Sequence, residues 1–174
     1  LSAKINVQEF KTPVGILLIG SFQNKLCLCD WQYRKMRVQI DNRIQQFLNA
    51  EYFSHSDKTI ENTQTQLSEY FNSQRTEFEL PLLFTGSDFQ KKVWEELSKI
   101  PFGKTVSYLS LAKNIGNEKA VRAVAAANGA NAISIIVPCH RVIGGNGKLV
   151  GYAGGINAKQ KLLQLENKRV PELF

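Results

Sequence analysis

The sequence predicts an α+β fold in two parts. Three observations carry that expectation. Strand-length apolar runs crowd residues 14–31, helix-spaced apolar residues follow them, and the net charge of +7 is divided unevenly along the chain. Residues 1–86 carry nine basic and nine acidic side chains, whereas residues 87–174 carry thirteen and six. The second half therefore holds the whole positive excess, as a polyanion-binding surface would; many basic proteins bind no polyanion, so charge alone does not decide the point. The expected domains are residues 1–80 and residues 87–170, with the boundary in "LLFTGSDF". A chain of 174 residues that is 43% hydrophobic and 21% charged has enough apolar side chain for a real core.

The first part takes its elements from local pattern. "VGILLIGSF" and "KLCLCDW" read as two strands joined by a turn at Gln23 and Asn24. "NRIQQFLNAEYF" and "NTQTQLSEYFNS" have helical spacing, with Leu67, Tyr70 and Phe71 on one face. "TEFELP" reads as a further strand ended by Pro81. Cys27 and Cys29 lie two apart, on one face of a strand, and His55 is isolated. Too few ligands converge for a zinc site and no disulfide framework is indicated, so no metal is expected. No apolar run reaches membrane length, and the first ten residues lack the order of a signal peptide, so the expectation is a cytoplasmic protein.

The second part is punctuated by caps. Ser87 followed by Gln90 forms a capping box for a helix whose stripe is Phe89, Val93, Leu97 and Ile100, closed by Pro101. Ser107 caps "YLSLAKNI", which ends at Gly116; Asn117 caps "EKAVRAVAAAN", which Gly129 ends. The pair is a candidate helix-turn-helix, although short helix pairs are common. In the second of these helices Arg122, Ala125, Ala126 and Gly129 share one face, with Val121 and Val124 inward. A face that smooth could enter a DNA minor groove about 6 Å wide, or it could simply pack on a neighbour. Both readings stand at this point.

"AISIIVPCHRV" raises the chemical question. The run to Pro138 reads as a buried strand, after which the chain bends and places Cys139 beside His140. A thiol becomes a nucleophile as thiolate, and a nearby imidazole can take its proton, here indirectly through a water. Downstream, "NAKQKLLQLEN" reads as a helix capped by Asn157, with Leu162 and Glu166 four apart. Glu166 then lies on or beside the apolar face, where a carboxylate needs a partner, and an imidazole N–H supplies one. Cys139, His140 and Glu166 resemble a nucleophile, a base and its orienter. The alternative is a core thiol beside a hydrogen-bonded structural histidine.

"PCHRV", preceded by "VSY", "AVRAV" and "GAN" and followed by "GGNGKLVGYAGG", is similar to the O6-alkylguanine-DNA alkyltransferase family from about Phe89 to Glu166. The first half resembles that family only in length and coarse pattern. The resemblance implies a ribonuclease-H-like first domain and a mainly helical, winged-helix-like second domain. It implies a monomer without cofactor that binds duplex DNA through the minor groove and flips an O6-alkylated guanine into a pocket. The alkyl group passes once and irreversibly to Cys139. By the same resemblance His140 takes the thiol proton through a water, Glu166 orients it, and Asn131 ties the recognition helix to the active-site segment. Tyr108 rotates the 3′ phosphate and donates to the guanine. Arg122 fills the stack, and Asn117 and the backbone of Gly145 contact phosphates. The carbonyls of Cys139 and Val142 read the exocyclic amine, while Tyr152, Ala153 and Lys159 line the pocket near O6. Position 153 is Ala where many relatives have Ser, and Asn128 stands where some have an apolar residue. A non-catalytic lesion binder, a thiol hydrolase and a redox sensor are the rival readings. The presence of Cys139 and the absence of a resolving cysteine nearby argue against the first and the last.

Overall fold

The computed structural model describes residues 3–147 and 149–169. It is a mixed α and β protein in two compact units that divide between Gly86 and Ser87.

In the first unit, β1 (Ala3–Thr12), β2 (Gly15–Phe22), β3 (Lys25–Trp31) and β4 (Ala50–Ser54) form one sheet in the order β3-β2-β1-β4. β1 pairs antiparallel with β2 and parallel with β4. The expected hairpin is present: Gln23 and Asn24 both have positive φ (50° and 65°), the geometry of the tight turns whose twist matches paired strands. β1 was not foreseen in the sequence. The helices α1 (Arg37–Leu48) and α2 (Lys58–Phe71) cover the sheet, burying Ile40 and Ile44 from one and Ile60, Leu67 and Tyr70 from the other. Asp30, fully buried at the end of β3, accepts from Arg34 and Arg37 and so fastens the start of α1.

Two expectations in this unit are corrected. The helix expected through "NAEYF" stops at Leu48, because Asn49 adopts a left-handed conformation (φ 47°) that ends helices, and residues 50–54 pair with β1 instead. "TEFELP" is not a strand. The Gln66 side chain accepts from the backbone N–H of Glu79 (2.9 Å) and donates to its carbonyl (3.1 Å), which occupies the groups a strand would have offered a neighbour. From Pro81 onward the chain pairs with β3, through Leu26 N to Pro81 O and Leu83 N to Leu26 O, both 2.8 Å.

The second unit is mainly helical. α3 (Asp88–Leu97) opens on the expected capping box of Ser87 and Gln90 and buries Val93, Trp94 and Leu97. It ends before Ser98, so Pro101 follows the helix by several residues and does not itself end it. β5 (Val106–Ser107) leads into α4 (Tyr108–Asn114), capped by the Ser107 hydroxyl. A 3-10 turn over Glu118–Ala120 then precedes α5 (Val121–Gly129), so the helix expected from Glu118 is in two pieces, and the Asn117 side chain makes no capping bond. A second 3-10 turn, Cys139–Arg141, runs into β6 (Val142–Ile143), which is parallel to β5. α6 (Ile156–Arg169) begins one residue before Asn157, which lies inside the first turn and not at the cap.

The run 132–138 is not the strand its β-branched residues suggest. Asn131 folds it locally: its side chain accepts from Ile133 N (3.0 Å) and donates to the carbonyls of Ile133 (3.3 Å) and Val137 (3.0 Å). Val137 N closes back on Ile133 O at 3.0 Å, and Ile135 is held at φ 71° although its branched side chain disfavours that region. The segment is buried all the same, with Ile133, Ile135 and Val137 at most 2% exposed. Trp94 Nε1 donates to Ala127 O at 2.8 Å and fixes α5 on α3.

Ser87→Ala removes one half of the capping box directly and leaves the Gln90 N–H unpaired. The protein should lose about 1 kcal/mol, read as a lower urea midpoint with an unchanged slope.

Candidate functional site

The site is built on the 3-10 turn at Cys139–Arg141. Because the chain bends after Pro138, consecutive side chains diverge: Cys139 is 3% exposed, and His140 is fully buried toward α6. There His140 Nε2 lies 2.7 Å from Glu166 Oε2. Arg141 meets the same carboxylate in a two-pronged contact, Nε to Oε1 at 2.8 Å and Nη2 to Oε2 at 3.1 Å, and its Nη1 donates to Ile100 O at 2.7 Å. Gly103 N donates to Oε1 at 3.2 Å. The Phe102 ring lies 5.8 Å from the guanidinium carbon.

These contacts settle protonation. Burial alone would raise the Glu166 carboxyl, but the hydrogen bonds and charges of His140 and Arg141 hold it well below the usual carboxylate range. Burial drives the His140 imidazole below its ordinary value; Glu166 opposes this, while Arg141 and Lys159 reinforce it. At neutral pH the pair is therefore a carboxylate and a neutral ring. Since the carboxylate can only accept, Nε2 carries the hydrogen and Nδ1 carries the lone pair. Nδ1 is buried and has no hydrogen-bond partner among the described residues. The turn thus holds an acceptor of protons beside a thiol.

Tyr108 and Lys159 lie close enough to Cys139 for its charge to act on both. Burial raises the half-buried Tyr108 phenol, the Cys139 charge raises it further, and the polar Asn128 side chain opposes both. Lys159 does not point its ammonium into open space. It donates to the carbonyls of Val142 (2.6 Å), Val150 (2.9 Å) and Gly151 (3.3 Å) and pins the loop after β6 onto α6. The Tyr152 ring stands edge-on to His140 with centroids 6.5 Å apart, and Ala153 is half-buried in the turn that follows.

The face expected to meet nucleic acid belongs to the same unit. Arg122, Ala125 and Ala126 are exposed on α5 while Val124 is buried, as the spacing required. Asn117 and Gly145 are exposed, and a side-chain carbon added at Gly145 would meet nothing within 4 Å. Asn131 is 2% exposed and lies directly between α5 and the Cys139 turn. Arg141 carried no expected role. Its position one residue after the histidine was visible, but nothing local shows that a guanidinium will turn inward to share a carboxylate. Among the described residues no three His, Cys, Asp or Glu side chains are grouped to hold a metal, and no helix is long and apolar enough to cross a membrane.

A buried thiol, a neutral imidazole oriented by a carboxylate, and a helix with an exposed small-residue face thus stand in one unit. The 6-O-methylguanine DNA methyltransferase, DNA binding domain, family matches residues 88–168. A methylated-DNA–protein-cysteine methyltransferase of Methanosarcina acetivorans is 42% identical over 158 residues, 90% of this chain and 95% of its own. The crystal structure of the Mycobacterium tuberculosis O6-methylguanine methyltransferase superposes with TM-score 0.79 at 39% identity, covering 96% of this chain and 95% of that one. The DNA complex of the same organism's OGT gives 0.80 at 38%, covering 97% and 96%. The chain belongs to the methylated-DNA–protein-cysteine methyltransferase family.

Acid should unfold this protein in a defined order. The folded-state pKa of His140 lies below its ordinary 6.5, and that of Glu166 below its ordinary 4.5. In both cases the unfolded chain takes up the proton more readily, so the stabilisation is complete above those ordinary values and is lost as pH falls. The urea midpoint should decline below about pH 6.5 and again below about pH 4.5. Glu166→Gln should shrink the second decline and cost about 3 kcal/mol at neutral pH, because it strips a buried counter-charge from Arg141. A midpoint that rises on acidification would contradict this assignment.

Proposed function

We propose that this chain repairs duplex DNA by direct reversal, moving the alkyl group from O6 of guanine onto Cys139 once per molecule. The observation that carries the reading is the tautomer imposed on His140. Glu166 holds Nε2–H, which leaves the buried Nδ1 as the base beside the thiol. Through one bridging water, Nδ1 accepts the Cys139 proton. The thiolate attacks the alkyl carbon in line, an S–C bond forms, the C–O6 bond breaks, and its electron pair leaves with the purine. Hydrogen bonds to the departing base stabilise the charge that develops on it.

The other roles follow from position. The carbonyls of Cys139 and Val142 accept from Val142 N and from Lys159, and each keeps a lone pair for the exocyclic amine. Tyr108 donates to the base and turns the 3′ phosphate, with Tyr152, Ala153 and Lys159 around O6. Because Cys139 is nearly buried, a stacked base cannot reach it, and extrusion costs a few kcal/mol. Arg122, exposed on the alanine face, offsets part of that by filling the gap from the minor groove, while Asn117 and Gly145 meet phosphates. The strand order β3-β2-β1-β4, with β1 and β4 parallel, supports a ribonuclease-H-like first unit. The helix pair α4 and α5 beside the small β5–β6 sheet supports a winged-helix-like second unit. A redox role is disfavoured, since burial pushes the Cys27 thiol up to about 12 and raises Cys29 further, which leaves neither as a resolving thiol.

Incubation with an O6-methylguanine duplex should add one methyl to the Cys139 peptide by mass spectrometry, and Cys139→Ala should abolish this while duplex binding survives. More than one methyl transferred per chain would sink the mechanism. Arg122→Ala should slow reaction with the duplex at least about tenfold while sparing free O6-benzylguanine, which needs no extrusion. Duplex affinity should fall steeply as salt rises, because phosphate contacts release counterions; a flat response would remove the basic unit from the DNA interface.

A further inference from the structure

The buried centre contains one charged side chain that the mechanism above leaves without a task. Arg141 is 6% exposed, and its donors are engaged inside the protein. Nε and Nη2 reach the two oxygens of Glu166 at 2.8 and 3.1 Å, and Nη1 donates to Ile100 O at 2.7 Å. Stability does not account for a guanidinium here, because well-packed apolar residues replace a buried ion pair at little or no loss. Nor does Glu166 lack another partner, since His140 Nε2 lies 2.7 Å from Oε2. One carboxylate therefore serves two side chains that can each carry a positive charge.

We propose that Arg141 is a positioning residue that keeps the His140 ring neutral at rest by taking up the charge of Glu166. A buried carboxylate facing an imidazole alone draws a proton onto that ring. Both ring nitrogens then donate, and Nδ1 has no lone pair left for the thiol proton. A guanidinium keeps its charge in proteins, so beside Arg141 the carboxylate is already neutralised and asks of Nε2–H only a hydrogen bond. The rest of the surroundings agree. Burial disfavours the imidazolium most, and Arg141 and Lys159 of α6 act in the same sense against the pull of Glu166. The Tyr152 ring stands edge-on, 6.5 Å away, and residues 100–103 supply a carbonyl to Arg141 and an N–H to Glu166 but no ionisable group. Cys139, on the same turn, is the acid that the ring serves. When its proton passes from Sγ through the bridging water to Nδ1, the thiolate provides the negative charge that a protonated ring needs. The imidazolium thus forms together with the nucleophile and not before it, while Arg141 and Glu166 exchange no proton. This rests on the alkyl transfer proposed above.

Two measurements test the role. The chain has two histidines, and His55 is exposed in the first unit, so His55→Gln leaves His140 as the sole source of imidazole nitrogen signals in NMR. In that parent the ring should be neutral at neutral pH, with its hydrogen on Nε2. Arg141→Gln should take up the ring proton at higher pH, and Arg141→Lys, which keeps a charge beside the carboxylate, should return the midpoint toward the parent's. Single-turnover methyl transfer should follow the ring. At about pH 5.5 Arg141→Gln should react roughly tenfold slower than the parent, as a rise of about one pH unit in the midpoint requires, and the gap should close toward alkaline pH. A residue that only braced the fold would lower the rate equally at every pH. The proposal fails if the fall in rate toward acid pH is placed alike in Arg141→Gln and the parent, or if Arg141→Lys displaces it as far as Arg141→Gln does. It fails also if the parent's ring is already protonated at neutral pH, an outcome that requires no variant to fold. The ring signals do not depend on transfer, so a parent with a neutral ring that accepts no methyl would refute the alkyl transfer and leave the action of Arg141 on the ring standing.

Discussion

The second unit depends on one carboxylate. Glu166 lies on the buried face of α6, and four donors converge on its two oxygens from the Cys139 turn and from the loop after α3. An isolated ionised carboxylate in that position would be strongly destabilising, so its neighbours are not optional. Once they are present, α6, residues 100–103 and residues 139–141 are held in one register. The same contacts that permit the charge also choose the histidine tautomer. Stability and chemistry are thus set by one group, and a change that loosens the fold there also misdirects the base.

A second constraint links recognition to the thiol. Asn131 follows α5 by two residues and precedes Cys139 by eight, and its amide closes the intervening backbone into a compact turn. Trp94 fixes α5 from the other side through Ala127 O. The helix that would meet DNA and the sulfur that would receive the alkyl group therefore cannot move independently over that short stretch. The strained φ of Ile135 is consistent with a loop whose shape is imposed by its ends, not by the preferences of its own residues.

What could be foreseen from the sequence follows from the range of the forces involved. The capping box at Ser87, the Ser107 cap and the Gln23–Asn24 turn depend on side chains three or fewer positions apart, and all were legible. Glu166 was legible for a different reason, since a carboxylate four residues from Leu162 on a helix demands a partner. The failures are places where a side chain competes for the backbone from outside the local window. Gln66 takes the peptide groups of Glu79 from thirteen residues away, and β4 forms because β1, nearly fifty residues earlier, supplies its ladder. The run 132–138 looked like a strand because β-branched residues suit both strands and buried turns. Only the Asn131 amide distinguishes the two, and its contacts lie inside the turn it creates. Arg141 was missed because nothing in the neighbouring sequence distinguishes an inward guanidinium from one facing solvent.

The inward turn of Arg141 and Lys159 also changes how the charge of the chain should be read. Thirteen basic residues in the second half suggest a strongly cationic surface, but these two are buried. Arg141 is neutralised by Glu166, and Lys159 is surrounded by backbone carbonyls. The field that reaches a polyanion comes instead from side chains such as Lys113, Lys119 and Arg122, which flank the exposed face of α5 and its preceding turn. A positive surface of that kind draws the phosphate backbone in without recognising any base, since such contacts set register and not sequence. In the proposed reading, discrimination arises inside the protein, where the base edge would meet carbonyls already fixed by Lys159 and the Cys139 turn. Affinity from the surface and selectivity from the interior is the division expected of a protein whose target is a single modified atom in otherwise ordinary DNA.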